Sequence, residues 1–438
     1  MLCLPGVLCP RPGHRYVWIM NVPPLARLLI PRLPFFYVWV ILACVSCAGL
    51  SRQGGAVATL SVFVAPMTRE FGWSRTALSG AVSLGGVLAA IASPVLGRML
   101  DRDGARKVLC LAILTTGLAN LGLAFTGALP LFYLLFCIAR MNFAGPFDLG
   151  IYGAVNNWFV SRRAFATGIA TVGQMTGLVT LPLIAQWAMV NPATGGTADW
   201  RAGWFAVGTS VLVAGFVPVF LLMVRRPEDA GLIPDRRVHR VAAPLAEEPA
   251  FTRSQALRTR AFWLLSLFTL LAYPVQAGVS LHQAPFLVER GLSPNVAATV
   301  VSFFSLMSGV ASMAFGLAPS RIPIRFRLSL ISLLLGAGTL LMLGIHAPPQ
   351  AYLAAGLFGL GIGGLLMMLP LAWADYFGRR SFGAIRGIAL SAQVLAQAAG
   401  PLISGVLRDW TGGYEASLGC FAVLAGLSFA AALFARRP

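Results

Sequence analysis

Apolar residues run along this chain in long blocks rather than in alternation. The blocks fall near 35–58, 75–96, 108–127, 131–155, 165–189 and 204–224, then resume at 261–281, 295–318, 328–346, 350–374, 385–407 and 415–434. Each is close to the ~20 residues that an α-helix needs to cross a hydrocarbon core. The two-residue alternation of a membrane barrel is absent. The pattern predicts an all-α membrane protein of twelve transmembrane helices. Between the sixth and seventh blocks, residues 225–260 are charged and Pro-rich ("RRPEDAGLIPDRRVHR") and read as a linker. The predicted organisation is a tail at 1–33, a six-helix bundle at 34–224, the linker, a second six-helix bundle at 261–434 and a short tail at 435–438.

Composition agrees with that pattern. Hydrophobic residues make up 58% of the 438 residues and charged ones 11%, with a mean hydropathy of +0.79. A soluble domain carries about a quarter charged residues. The net charge of +19 would suggest nucleic acid in a soluble chain. Here the basic residues sit in short loops between apolar blocks, and no nucleic-acid motif is present. Twelve spans put both termini on one side. That side, with the linker, holds 26 Lys and Arg, and the opposite loops hold five. The asymmetry places both termini in the cytoplasm. Lys107 is the only lysine, and the Arg-, Ala- and Gly-rich usage points to a GC-rich genome and a bacterial inner membrane. The first 33 residues lack a signal-peptide cleavage site and read as a cytoplasmic tail, with Met20 as an alternative start. Seven cysteines show no disulfide framework, and the Cys44–Cys47 pair lies inside an apolar helix where a reactive thiolate is out of place.

The two halves resemble each other at one offset. "EFGWS" at 70–74 matches "ERGLS" at 289–293, and "GRMLDRDGAR" at 97–106 matches "GLAPSRIPIR" at 316–325, both shifted by 219 residues. "WFVSRRAFATG" at 158–168 matches "YFGRRSFGAIRG" at 376–387. A repeat of six spans keeps both copies in one orientation, which is a transporter architecture with the substrate cavity between the halves.

At these residues the sequence resembles the major facilitator superfamily over nearly all of 35–434. The stretch between the second and third spans carries the family signature as Gly97, Asp101, Arg102, Gly104, Arg106 and Lys107, with the basic pair one place later than usual. Arg140 in "IARMNFAGPFDLG" resembles a second family motif. "FVAPMTREFGWSRTALSGAVSL", "NWFVSRRAFATGIA", "RRPEDAGLIPD" and "DYFGRRSFGAIRGI" are similar to monocarboxylate-transporter-like and oxalate/formate-antiporter-like members. Carboxylate transporters of this type carry a basic residue or an Asp–Arg pair in the eighth helix, and "NVAATVVSFFSLMSGVASMAFG" has none. The resemblance implies rocker-switch alternating access, with Asp101 docking on the start of the eleventh helix near Gly383 to Arg386 as a cytoplasmic gate. The second copy has Ser320 at the position of Asp101.

Charges inside spans are expensive and mark candidate sites. Arg140 lies nine residues into the fourth block and offers a planar fork of donors to a carboxylate; a helix-to-helix tie is the alternative role. Arg52, followed by Gln53 and the Gly54–Gly55 pair, falls in the outer half of the first block, either as an anion ligand or snorkelling to the interface. Asp148 is a candidate proton carrier or a partner for Arg162 or Arg163. In the seventh block, Tyr273 and Gln276 are candidate substrate contacts beside the helix-bending Pro274, and His282 is a second proton-coupling candidate. No metal-ligand cluster and no phosphate-binding loop with its lysine are present, so no cofactor and no ATP-driven step are expected. No nucleophile–base set suggests an enzyme.

Together these features point to a secondary transporter in the lipid bilayer, expected as a monomer. Its substrate would be a small organic solute, foremost a carboxylate, moved with a coupling proton or a counter-anion. The uncharged eighth block and the aromatic-rich helices leave open an efflux carrier for drug-like or neutral molecules. A membrane sensor that kept the fold and lost transport is the remote alternative.

Overall fold

The computed structural model describes residues 22–33, 36–189, 199–232, 234, 249–318 and 322–438. The first part of the expected N-terminal tail, residues 235–248 of the linker, and Ser320 lie outside the described residues. Among the described residues the regular structure is helical, and twelve helices are long and apolar enough to cross a membrane. The chain divides into two compact units. The first is Met1–Ala250 with Arg379–Ile388, and the second is Phe251–Gly378 with Ala389–Pro438.

The first unit begins its spans with α1 (Val38–Arg52) and α2 (Val57–Phe71), joined by a tight 3-10 turn at Gln53–Gly55. The Gly54–Gly55 pair is a poor helix former, and Ala56 is extended (φ −77°, ψ 151°). The backbone group freed by the break is not left bare: the Gln53 carbonyl accepts from Thr59 Oγ1 at 2.7 Å and from the Ala56 N–H at 3.0 Å. The first span is thus Val38–Phe71 rather than the 35–58 expected from hydropathy. Leu60, Phe63 and Met67 carry a buried stripe at helical spacing past Pro66, so packing extends the helix where hydropathy falls.

Next come α3 (Arg75–Asp103) and α4 (Ala105–Leu123), separated by Gly104. The Ser74 hydroxyl caps α3 by accepting the Ala77 N–H at 3.0 Å. The fourth span is also broken. α5 (Leu129–Ala144) stops at Gly145 (φ −113°, ψ −86°), and α6 (Pro146–Trp158) starts on the proline, which lacks the N–H a continuing helix would use. Asp148 therefore does not continue the Arg140 helix at its regular angle, as a single span at 131–155 would have required. α7 (Arg163–Met189) follows, and the sixth span is α8 (Trp200–Val211), a π-turn at Leu212–Phe216 and α9 (Val217–Leu222).

The second unit holds α10 (Arg260–Glu289), α11 (Pro294–Leu317), α12 (Ile324–Leu343), α13 (Pro348–Phe377) and α15 (Glu415–Phe434). α14 (Phe382–Thr411) starts in the first unit and continues in the second. Large apolar side chains such as Ile91, Trp187, Leu183, Leu402 and Phe434 stand exposed on these helices. That is the surface a hydrocarbon solvent requires, since lipid tails are as apolar as leucine.

Candidate functional site

Arg52 and Arg140, the two basic residues inside apolar blocks, come together in the first unit on the ring of Phe143. The Arg52 guanidinium carbon lies 4.6 Å from the ring centroid and that of Arg140 lies 4.5 Å from it. Arg52 is the last residue of α1, so the extended first span puts it near the middle of Val38–Phe71. It does not lie in the outer half where snorkelling is available, and its side chain is only 13% exposed. Arg52 Nε donates to the Phe143 carbonyl at 2.9 Å, and its Nη1 donates to Gln174 Oε1. Nη2 makes no hydrogen bond to a described residue. Arg140 is less well supplied. Its Nη1 reaches the Gly55 carbonyl at 3.4 Å, its buried Nε has no partner, and no carboxylate of a described residue pairs with it.

The acid of the cluster is Asp148, in the first turn of α6 and buried. Sequence reasoning offered Arg162 or Arg163 as its partner. The structure pairs it instead with Arg386 in the first turns of α14, Oδ1 to Nη2 at 3.0 Å, with Arg52 Nη1 3.9 Å from Oδ2. Arg386 is fully buried. Two guanidiniums, those of Arg386 and Arg52, thus share one carboxylate. Buried cations without matching acids are costly, and Arg140 keeps a buried donor, Nε, that no described residue meets. Gln53 is buried beside them in the 3-10 turn.

A second constellation sits at the Gly97–Lys107 stretch. Asp101 accepts the Gly383 and Ala384 N–H groups at 2.8 Å and 2.7 Å, at the N-terminus of α14, where unpaired N–H donors and the helix dipole favour a carboxylate. Gly97 makes this approach possible, because a Cβ there would strike the Gly383 carbonyl. Gly104 takes φ +84°, a left-handed value that a side chain would strain. The basic residues of the stretch hold the surroundings. Arg106 donates to the Phe220 carbonyl at 2.8 Å, and Lys107 faces Asp103 at 3.4 Å. The start of the linker crosses over them. Arg225 donates to the Arg102 carbonyl at 2.7 Å, Arg226 to the Asp101 carbonyl at 3.2 Å, and Glu228 pairs with Arg379 at 3.2 Å. Asp229, half-buried there, has its pKa pushed up by burial, partly offset by Arg225 and Arg226.

The remaining candidates belong to the second unit. Tyr273 is buried in α10, and Gln276 Oε1 accepts from Gln397 Nε2 at 3.3 Å. His282 Nδ1 lies 3.2 Å from the Tyr414 hydroxyl, and its Nε2 is buried without a partner. It lines a cavity of about 10 Å³ with Gln283, Ser404, Tyr414 and Ser417, about the space of one water. Among the described residues no three His, Cys, Asp or Glu side chains gather as a metal site would require.

Sequence reasoning missed Phe143, Gln174 and Tyr152. Gln174 carried a readable signal, being an amide in an apolar span next to Gly173, at which a Cβ would meet the Ser46 backbone of α1. A polar side chain at such a close helix contact is a tie between helices.

The signature of the Major Facilitator Superfamily matches residues 41–371. Monocarboxylate transporter 11 of Mus musculus is 27% identical over 86% of this chain and 83% of its own. The uncharacterized MFS-type transporter YcxA of Bacillus subtilis is 22% identical over 84% of this chain and 87% of its own. Among solved structures, the proton:xylose symporter XylE bound to 6-bromo-6-deoxy-D-glucose aligns with a TM-score of 0.70 at 12% identity, over 90% of this chain and 94% of that one.

Proposed function

The chain belongs to the Major Facilitator Superfamily and is a multi-pass membrane transporter, and from that premise we propose that it carries a small organic anion, foremost a monocarboxylate. The observation that carries this reading is the unmatched donor set of Arg140 and Arg52 on the Phe143 ring. A planar guanidinium edge meets a carboxylate in two parallel hydrogen bonds. The names of curated relatives that are monocarboxylate transporters support the same class.

Transport proceeds by rocking the bundle at 34–224 against that at 261–434, with both termini and the 225–260 linker in the cytoplasm of a bacterial cell. Asp101 on the α14 N-terminus latches the cytoplasmic gate. Asp148 is the coupling group. An anion arriving at Arg52 repels the Asp148 carboxylate, and one proton on Asp148 removes that repulsion and releases Arg386. Exchange against a second anion is the alternative drive, and in it Asp148 stays charged throughout. Tyr273 and Gln276 contribute neutral contacts.

The uncharged span Asn295–Leu317 favours one rival, efflux of neutral or lipophilic molecules. Counterflow of labelled carboxylates in proteoliposomes at two pH values separates the readings. Saturable carboxylate exchange, blocked by other small carboxylates, is expected. Counterflow of lipophilic cations with none of carboxylates overturns the proposal.

A further inference from the structure

Arg52 is held at several points, and one of them is built by a chain of buried side chains. Its Nη1 donates to Gln174 Oε1. The amide nitrogen of that glutamine donates to the Tyr152 hydroxyl at 3.0 Å, and the same hydroxyl lies 3.5 Å from Thr171 Oγ1. Gln174, Tyr152 and Thr171 are all buried. The chain Tyr152–Gln174–Arg52 therefore runs from α6 through α7 to the end of α1, in a region where an unmade hydrogen bond has no water to replace it.

We infer that Gln174, oriented by Tyr152, is a positioning residue that fixes the Arg52 guanidinium for the anion. The chemistry requires some such device. Arg52 is drawn toward Asp148, whose Oδ2 lies 3.9 Å from Nη1. Full engagement there would close the ion pair and remove Arg52 from the substrate. A neutral acceptor on the same nitrogen occupies it without cancelling its charge, while the Phe143 carbonyl takes Nε and leaves the Nη2 edge uncommitted. A carboxylate at 174 would neutralise the site, and an aliphatic residue would release the arginine to Asp148. The tyrosine settles which end of the amide faces Arg52, because the Gln174 nitrogen is committed to its hydroxyl.

This inference rests on the anion reading of Arg52 and Arg140, so the test carries a control for that reading. The protein is reconstituted in proteoliposomes, and counterflow of a labelled monocarboxylate is measured for the wild type, Gln174→Leu, Tyr152→Phe, the double variant and Arg140→Gln. Loss of a hydrogen bond to a charged group predicts a KM increase of about tenfold for Gln174→Leu, with Vmax within about twofold. Tyr152→Phe, which keeps the ring and its packing, raises KM by about threefold. The double variant matches Gln174→Leu alone, because both changes break one chain. Additive effects, or a fall in Vmax at unchanged KM, overturn the positioning role. If Arg140→Gln raises KM strongly while both Gln174→Leu and Tyr152→Phe leave it unchanged, the anion site stands and only this inference fails. If Arg140→Gln also leaves KM unchanged, the anion reading itself is wrong.

Discussion

Asp148 and Arg386, 238 residues apart in sequence, form a buried ion pair of 3.0 Å. The pair joins the first turn of α6 to the first turns of α14, and the third member, Arg52, belongs to the candidate anion site. A buried pair that loses one partner leaves a charge without compensation, at a cost of about 3–5 kcal/mol, whereas neutralising both costs much less. Arg386→Ala is thus expected to lower the thermal midpoint of the purified protein sharply. Arg386→Gln combined with Asp148→Asn is expected to recover most of that loss. Thermal unfolding in detergent checks both, and a double variant as unstable as Arg386→Ala contradicts the pair's weight.

Proton coupling separates Asp148 from His282. Asp148→Asn is expected to keep counterflow, which needs no gradient, and to lose uptake driven by an imposed pH gradient. His282 Nδ1 lies 3.2 Å from the Tyr414 hydroxyl beside a water-sized cavity, and His282→Gln keeps a polar group there. Its gradient-driven uptake is expected to stay within about twofold of the wild type. The opposite ranking of the two variants transfers the coupling role to His282.

The Asp101 carboxylate takes two N–H groups at the start of α14. Asparagine keeps one acceptor oxygen and loses the charge that the helix dipole favours. Asp101→Asn is expected to slow exchange about tenfold, the worth of one charge-assisted hydrogen bond, with substrate affinity unchanged. Transport rate and equilibrium binding measured side by side decide this, and loss of binding contradicts a role confined to the gate.

Asp229 gives a pH dependence. Its pKa is raised by burial, and its buried Oδ2 has no hydrogen-bond partner. A raised acid pKa in the folded state contributes stability that is present below the ordinary aspartate value and is lost as pH climbs through the folded value. Asp229→Asn removes that loss. The variant is expected to be the more stable one at neutral pH, and the difference is expected to shrink toward pH 4, near the ordinary aspartate value of 3.8. Thermal midpoints of both proteins between pH 4 and 8 test this. A variant that is less stable at pH 7 contradicts the stated cost of the charge.

Much of this was legible in the sequence because the signals are of the kind that sequence keeps. Long apolar blocks mark the spans, and a charge inside such a block, as at Arg52 and Arg140, stands out against its neighbours. Helix ends were less legible, because Val57–Phe71 and Glu289 extend beyond the hydropathic blocks through packing rather than composition. The neighbours of Arg52 were hidden for a different reason. Phe143, Tyr152 and Gln174 are ordinary residues of apolar helices, and only the fold gives them a common cation. Arg386 was assigned to the gate through the family resemblance, yet its partner Asp148 could be found only once the first turns of α14 met the first turn of α6.

The central claim is that Arg140 binds the anionic group of the substrate. The most direct measurement is the affinity of the reconstituted wild type and Arg140→Glu for a labelled monocarboxylate, with a neutral solute of similar size as control. The expected result is loss of saturable carboxylate binding by at least a hundredfold in the charge-reversed protein. Full carboxylate affinity in a folded Arg140→Glu protein would contradict the claim.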